Sequence, residues 1–118
     1  MASSAPADPP VTVMLTYPNV DDAVFNYDYY LQTHMPLAEQ VWRPLGLVGV
    51  SLGPTAHEAG KAPYNVVCLL EFSSRKDWDR AWEAALTQLV HDVPNFSNQM
   101  PTFLIGERFA GTVEVGRV

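Results

Sequence analysis

Residues 64–72, YNVVCLLEF, place apolar side chains on both faces of any strand they form. Side chains alternate across a strand, so Val66, Cys68, Leu70 and Phe72 point one way while Val67 and Leu69 point the other. VTVMLTY, residues 11–17, repeats the pattern, with Val11, Val13, Leu15 and Tyr17 opposite Thr12, Met14 and Thr16. A sheet with one wet face alternates apolar with polar residues. These strands do not, so the fold must cover both faces of its sheet.

The rest of the chain says how one face is covered. After the first strand, PNVDD signals a turn, and Asp21 or Asp22 is placed to cap a helix from about Ala23 to Trp42. LGLVGVSLG (45–53) reads as a second strand whose Gly46 and Gly49 suggest a bulge or a close backbone approach. PTAHEAGKAP (54–63) is turn-rich and leads into the strand at 64–72. Ser74 and Asp77 have the spacing of a capping box. The helix they open puts Trp78, Ala81, Trp82, Ala85, Leu86 and Leu89 on one face, and Pro94 stops it near Val93. PTFLIGERF (101–109) is the last strand, and Val113 to Val115 offer a short edge piece.

The order β-α-β-β-α-β predicts an α+β, ferredoxin-like fold: a four-stranded antiparallel sheet with two helices on one face. Two helices leave the other face bare, and a second copy packed about a two-fold axis would cover it, so a homodimer is expected. The chain has 118 residues, the length of one domain, which we take as 11–118 after a Pro- and Ala-rich, disordered tail at 1–10.

Composition removes several classes of function. A net charge of −6 with only seven Lys and Arg argues against nucleic acid or an anionic membrane as partner. One cysteine, Cys68, excludes an internal disulfide, and its apolar neighbours make it a packing residue. MASSAPADPP lacks a cationic start and an apolar run, so no secretory signal is read and a cytoplasmic location is expected. Histidines at 34, 57 and 91 are too scattered to predict a metal site, and no phosphate-binding or dinucleotide loop occurs.

What remains is FNYDYYLQTHMPL, residues 25–37. On a helical wheel, about 100° per residue, His34 falls at the centre of the apolar arc with Tyr30, Tyr27, Ala38 and Leu31. Pro36 removes a backbone donor, which predicts a kink or break near Thr33 that frees backbone beside His34 and leaves room for a ligand. An imidazole facing apolar surroundings is held neutral, the state suited to acid/base work. Against this stands a bland alternative, in which His34 bonds a freed carbonyl and merely packs. Tyr30, one turn away, and Tyr17, at the end of the first strand, are candidate phenolic donors to a ligand oxygen. Asp92, in HDVPNF, is expected to cap a turn by accepting from the amide of Asn95. Phe25 and Tyr29 fall outside the arc.

The pattern Phe25, Tyr29, Tyr30, His34, Pro36, Leu37 resembles the motif of the EthD family, named for ethyl tert-butyl ether degradation. A strand ending Phe72-Ser73-Ser74, a Trp- and Ala-rich helix, and the Asp92/Phe96 pair follow in the same order over residues 11 to 110. The resemblance implies a dimeric α+β barrel, two ferredoxin-like subunits packed sheet to sheet. It also implies that His34 is a pocket group and that Asp92 and Phe96, which match motif positions, serve the site chemically or conformationally. Together with the wheel, His34 and Tyr30 are expected to be catalytic, and Tyr17, Met35, Asp92 and Phe96 to line the substrate site. Members of that family are linked to ether degradation beside an oxygenase, to lactone isomerisation and to dehydration or cyclisation of aromatic polyketides, and the wider superfamily includes cofactor-free monooxygenases. The expectation is therefore acid/base chemistry without a cofactor on a small hydrophobic metabolite. The alternatives are an accessory protein that binds such a metabolite for a partner oxygenase and, ranked third, a haem binder with His34 as axial ligand.

Overall fold

A computed structural model describes residues 8–55 and 61–107. Most of the expected tail, His57 and the edge piece at 113–115 lie outside the described residues. Four antiparallel strands, β1 (Val11–Pro18), β2 (Leu47–Pro54), β3 (Tyr64–Phe72) and β4 (Thr102–Glu107), form one sheet in the order β2-β3-β1-β4. The two helical segments that the sequence predicts connect them, giving the ferredoxin-like α+β arrangement. The second is α3 (Arg75–Asp92), capped by Ser74, whose hydroxyl accepts from the Asp77 amide.

One face of the sheet is the core. Val11, Val13, Leu15 and Tyr17 of β1 and Val66, Cys68, Leu70 and Phe72 of β3 are buried against Ala38 and Trp42, and against Trp78, Ala81, Ala85 and Leu89 of α3. Trp42 stitches the helical layer together by donating its indole N–H to the Ala81 carbonyl at 2.8 Å. Leu86 departs from its assignment to the inner face of α3 and is 46% exposed. The opposite face of the sheet carries Met14, which pairs with Leu69 on one side and Leu104 on the other. Leu104 is 65% exposed there.

The bulge expected near Gly49 is present as a register shift between Leu47 and Gly49. Gly46 has φ +107°, a left-handed conformation that glycine adopts without penalty, and a Cβ there would run into the Asp77 side chain.

The first helical segment departs from expectation at both its start and its middle. It begins at Tyr27, not Ala23, because residues 24–26 are laced to a distant strip. Phe25 bridges Ser97, Asn26 N–H donates to the Phe96 carbonyl at 2.8 Å, and the Val24 amide bonds the Asn98 side chain at 2.9 Å. The cap is Asn26, which accepts from the Tyr29 amide, and neither Asp21 nor Asp22.

The helix does not break at Thr33. It runs through α1 (Tyr27–Tyr29), a π-helical turn (Tyr30–His34) and α2 (Met35–Trp42), and Met35 keeps helical dihedrals of −67° and −39°. In that turn the Met35 amide bonds the carbonyl five residues back, Tyr30. The wide turn lets Pro36 fall in the first turn of a fresh α segment, where a missing N–H costs nothing. The proline is absorbed without the expected break.

Candidate functional site

The interlock of residues 24–26 with 96–98 carries the helix bearing His34 up to the end of α3. His34 Nδ1–H donates to Asp92 Oδ2 at 2.9 Å, joining residues 58 positions apart. The other carboxylate oxygen, Oδ1, accepts from the Tyr29 hydroxyl at 2.6 Å and from the Asn95 side-chain amide at 2.9 Å. Asp92 therefore does not cap a turn through its side chain, as the sequence suggests. Asn95 does donate to it, but through its side chain, and the carboxylate is spent mainly on holding His34 and Tyr29.

Aromatic rings wall the imidazole. Tyr30 stacks on it with centroids 5.7 Å apart and planes 17° apart, and the Phe96 ring lies 4.4 Å away. Phe96 also contacts the rings of Tyr17, Phe25, Tyr29 and Tyr30. Of the six residues picked from the sequence, His34, Tyr30, Tyr17, Asp92 and Phe96 are thus brought into one cluster. Met35, one residue on from His34, has its side chain buried in the shared core and meets the cluster through its backbone amide, which bonds the Tyr30 carbonyl. Asn95, expected beside Asp92 through its backbone amide, joins the cluster through its side chain, and Tyr29 belongs to the cluster and was missed. A uniform wheel puts Tyr29 about 140° from His34, but five-residue hydrogen bonding brings residues five apart over one another.

The charges follow from this packing. Burial drives the His34 imidazole below its ordinary 6.5, against the opposing hydrogen bond and charge of Asp92. For Asp92, burial works upward, but the hydrogen bonds from Tyr29, Asn95 and His34 outweigh it and hold the carboxyl below 3.8. A neutral imidazole donating from Nδ1 to a carboxylate leaves Nε2 as a basic lone pair, and Nε2 has no partner among the described residues.

Burial also raises the Tyr17 and Tyr30 phenols far out of reach and pushes the Cys68 thiol up to about 11, so all three stay protonated. The Tyr30 hydroxyl is enclosed without a hydrogen bond of good geometry; the Cys68 thiol, a weak partner, and the Tyr17 phenol lie close enough to influence it.

These shifts make acid destabilising. Both groups bind protons more readily in the unfolded chain than in the fold, so stability falls as pH falls. The contribution of His34 is complete above about pH 6.5 and is lost as pH drops through its lowered value; that of Asp92 is lost below 3.8. Urea unfolding at stepped pH should show the free energy of the wild type declining below pH 6.5, with a flatter arm for His34→Gln. A flat wild-type curve from pH 7.5 to 5 would contradict the buried neutral imidazole.

The space beside the cluster is narrow. A cleft of about 30 Å³, room for a water molecule, lies between sheet and helices, lined by Leu15, Tyr17, Trp42, Trp82, Val93 and Phe103 among others. It touches the cluster through Tyr17 and not through His34. Among the described residues, no group of three or more His, Cys, Asp or Glu gathers as a metal site would need, and no helix is long and apolar enough to cross a membrane.

Sheet order, helical layer and the position of the cluster define the class: a ferredoxin-like α+β domain with its polar cluster at one end of the helical layer. No family profile matches the chain, and no curated protein matches it in sequence. Solved structures do match. An EthD-like protein from Ralstonia eutropha aligns with a TM-score of 0.74 and 21% identity, covering 85% of this chain and 92% of that one. An EthD family protein from Bacillus halodurans aligns at 0.64 and 17%, covering 85% and 99%. SnoaB, a cofactor-independent oxygenase from Streptomyces nogalater, aligns at 0.55 and 13%, covering 85% and 95%. The resemblance read from the helix motif is matched by the backbone: this chain has the fold of EthD-like proteins.

Proposed function

We propose that the protein acts on a small hydrophobic metabolite, oxygenated or aromatic, by acid/base chemistry that needs no cofactor: isomerisation, dehydration or monooxygenation. The 2.9 Å bond from His34 Nδ1 to Asp92 carries this reading, because it turns the basic nitrogen away from the carboxylate and offers it to a ligand. In the step proposed, Nε2 takes a proton from a carbon next to a carbonyl. The electron pair moves onto the carbonyl oxygen, and the imidazolium formed is stabilised by Asp92. Tyr17 lines the cleft and Tyr30 has an unspent hydroxyl, so either can donate to that oxygen. Met35 and Phe96 complete the apolar surroundings. Access requires the cleft beside Tyr17 to widen toward His34. A cofactor-independent oxygenase on the same fold supplies a precedent for the chemistry, though a shared fold does not transfer a reaction.

A direct test follows proton abstraction by NMR, as exchange of α-hydrogens for deuterium in a panel of cyclic and aromatic ketones. The wild type should accelerate exchange for some of them. Binding without exchange or conversion, unaffected by His34→Gln, would favour the second reading, an accessory binder for a partner oxygenase. That reading draws support from the cleft, whose apolar lining reaches Tyr17 and stops short of the imidazole.

The same reading takes residues 11–118 as one domain of a cytoplasmic homodimer, with no nucleic acid or membrane partner. A second sheet laid on Met14, Val67, Leu69 and Leu104 would satisfy the bare face. Light scattering should report twice the 13.1 kDa chain mass at micromolar concentration. Leu104→Asp should weaken association at least ~100-fold, since like charges would face each other across the axis. A wild-type mass of one subunit would refute the assembly.

A further inference from the structure

We propose that Tyr29 and Asn95 clamp the Asp92 carboxylate and thereby set the tautomer and orientation of His34, which makes Tyr29 a positioning residue of the site. This rests on the reading of His34 as the base.

Both oxygens of the carboxylate are engaged. Oδ1 takes the Tyr29 hydroxyl at 2.6 Å and the Asn95 amide at 2.9 Å, and Oδ2 takes His34 at 2.9 Å. Rotation about the Cβ–Cγ bond would break all three at once. Asn95 also reaches the Tyr29 oxygen at 3.3 Å, closing a triangle of donors and acceptor on one side of the carboxylate.

Each clamp member is itself held. The Tyr29 amide is bonded by the Asn26 cap at 3.1 Å, and its ring lies over Phe96 at 20° between planes. Asn95 sits in the short helical turn Val93–Asn95, which follows α3 directly and contains Pro94. The π turn supplies the remaining condition, since it sets Tyr29 and His34 above the same carboxylate.

An imidazole free in water favours the proton on Nε2. A carboxylate held still opposite Nδ1 reverses that preference, and a carboxylate free to swing reverses it less. Loss of the Tyr29 hydroxyl should therefore shift the tautomer ratio of His34 toward Nε2–H by about fivefold, the equilibrium weight of one ordinary hydrogen bond.

The experiment records long-range ¹H–¹⁵N correlations of the three imidazoles in ¹⁵N-histidine-labelled, substrate-free protein at pH 8, with His34 assigned by loss of its signals in His34→Gln. The wild type should be mainly Nδ1–H at His34. Tyr29→Phe, which keeps the ring and its packing, should move the ratio toward Nε2–H, and Asn95→Ala should move it the same way. An unchanged ratio in Tyr29→Phe overturns the clamp, including where the melting temperature drops, because a purely structural role alters stability without altering tautomers. The two readings fail separately. A shifted ratio in a protein that turns over no ketone leaves the clamp and removes the catalyst, and an unshifted ratio with normal turnover does the reverse.

Discussion

His34→Ala is expected to lower turnover by about 10²- to 10⁴-fold, the range contributed by a positioned general base, while substrate affinity changes little. The imidazole is the neutral group in the cluster with a lone pair free of any partner among the described residues, so no neighbour can take its place. Asp92 is committed to three donors, and the Tyr17 and Tyr30 phenols are held protonated by burial. Because burial lowers the His34 value, the wild-type rate should rise with pH below 6.5 and level off above it, as the imidazole loses its proton. Steady-state kinetics across pH 5 to 8 would show both effects on any substrate found by the exchange screen. Retention of full activity in His34→Ala would end the acid/base mechanism and leave the accessory binder.

Phe96→Ala should cost about 3–5 kcal/mol of folding stability, the usual penalty for removing a buried phenylalanine. Phe96 is 2% exposed, and its ring meets the four aromatic rings of Tyr17, Phe25, Tyr29 and Tyr30 besides the imidazole at 4.4 Å. Deleting it opens a void between β1, the first helix and the end of α3 together. Phe96→Leu fills most of that void and should cost less than about 2 kcal/mol. Chemical denaturation distinguishes the two variants. A loss under 1 kcal/mol in Phe96→Ala would show that the cluster collapses around the gap and that the rings do not hold the imidazole in place.

Patterning made much of the fold legible. β3 lies at 64–72 as read, α3 opens on its Ser74 cap and stops one residue before Val93, and the bulge near Gly49 is where glycine suggested it. Each rests on neighbours within a few positions, where alternation, capping and chain-breaking act. Errors arose where a distant segment overruled a local signal. Asp21 and Asp22 are good caps, yet the backbone pairing of residues 25–26 with 96–97 moved the start of the helix to Tyr27.

For the site, chain order alone placed His34 inward and grouped Tyr17, Tyr30, Asp92 and Phe96 as candidates, through apolar periodicity and the helix motif. The distant partners of Asp92, His34 and Tyr29, had to come from the folded chain, because residues 58 and 63 positions away leave no trace in local spacing. Tyr29 shows the same limit at short range: its side of the helix depends on whether the turn before Pro36 closes over four residues or five, and a proline is compatible with a break as well as with a wide turn. Alternation and periodicity thus determined which faces are apolar and which elements exist, since those are properties of neighbouring residues. Tertiary packing alone decided which carboxylate meets the imidazole and how little space lies beside it, since both depend on where separate elements come to rest.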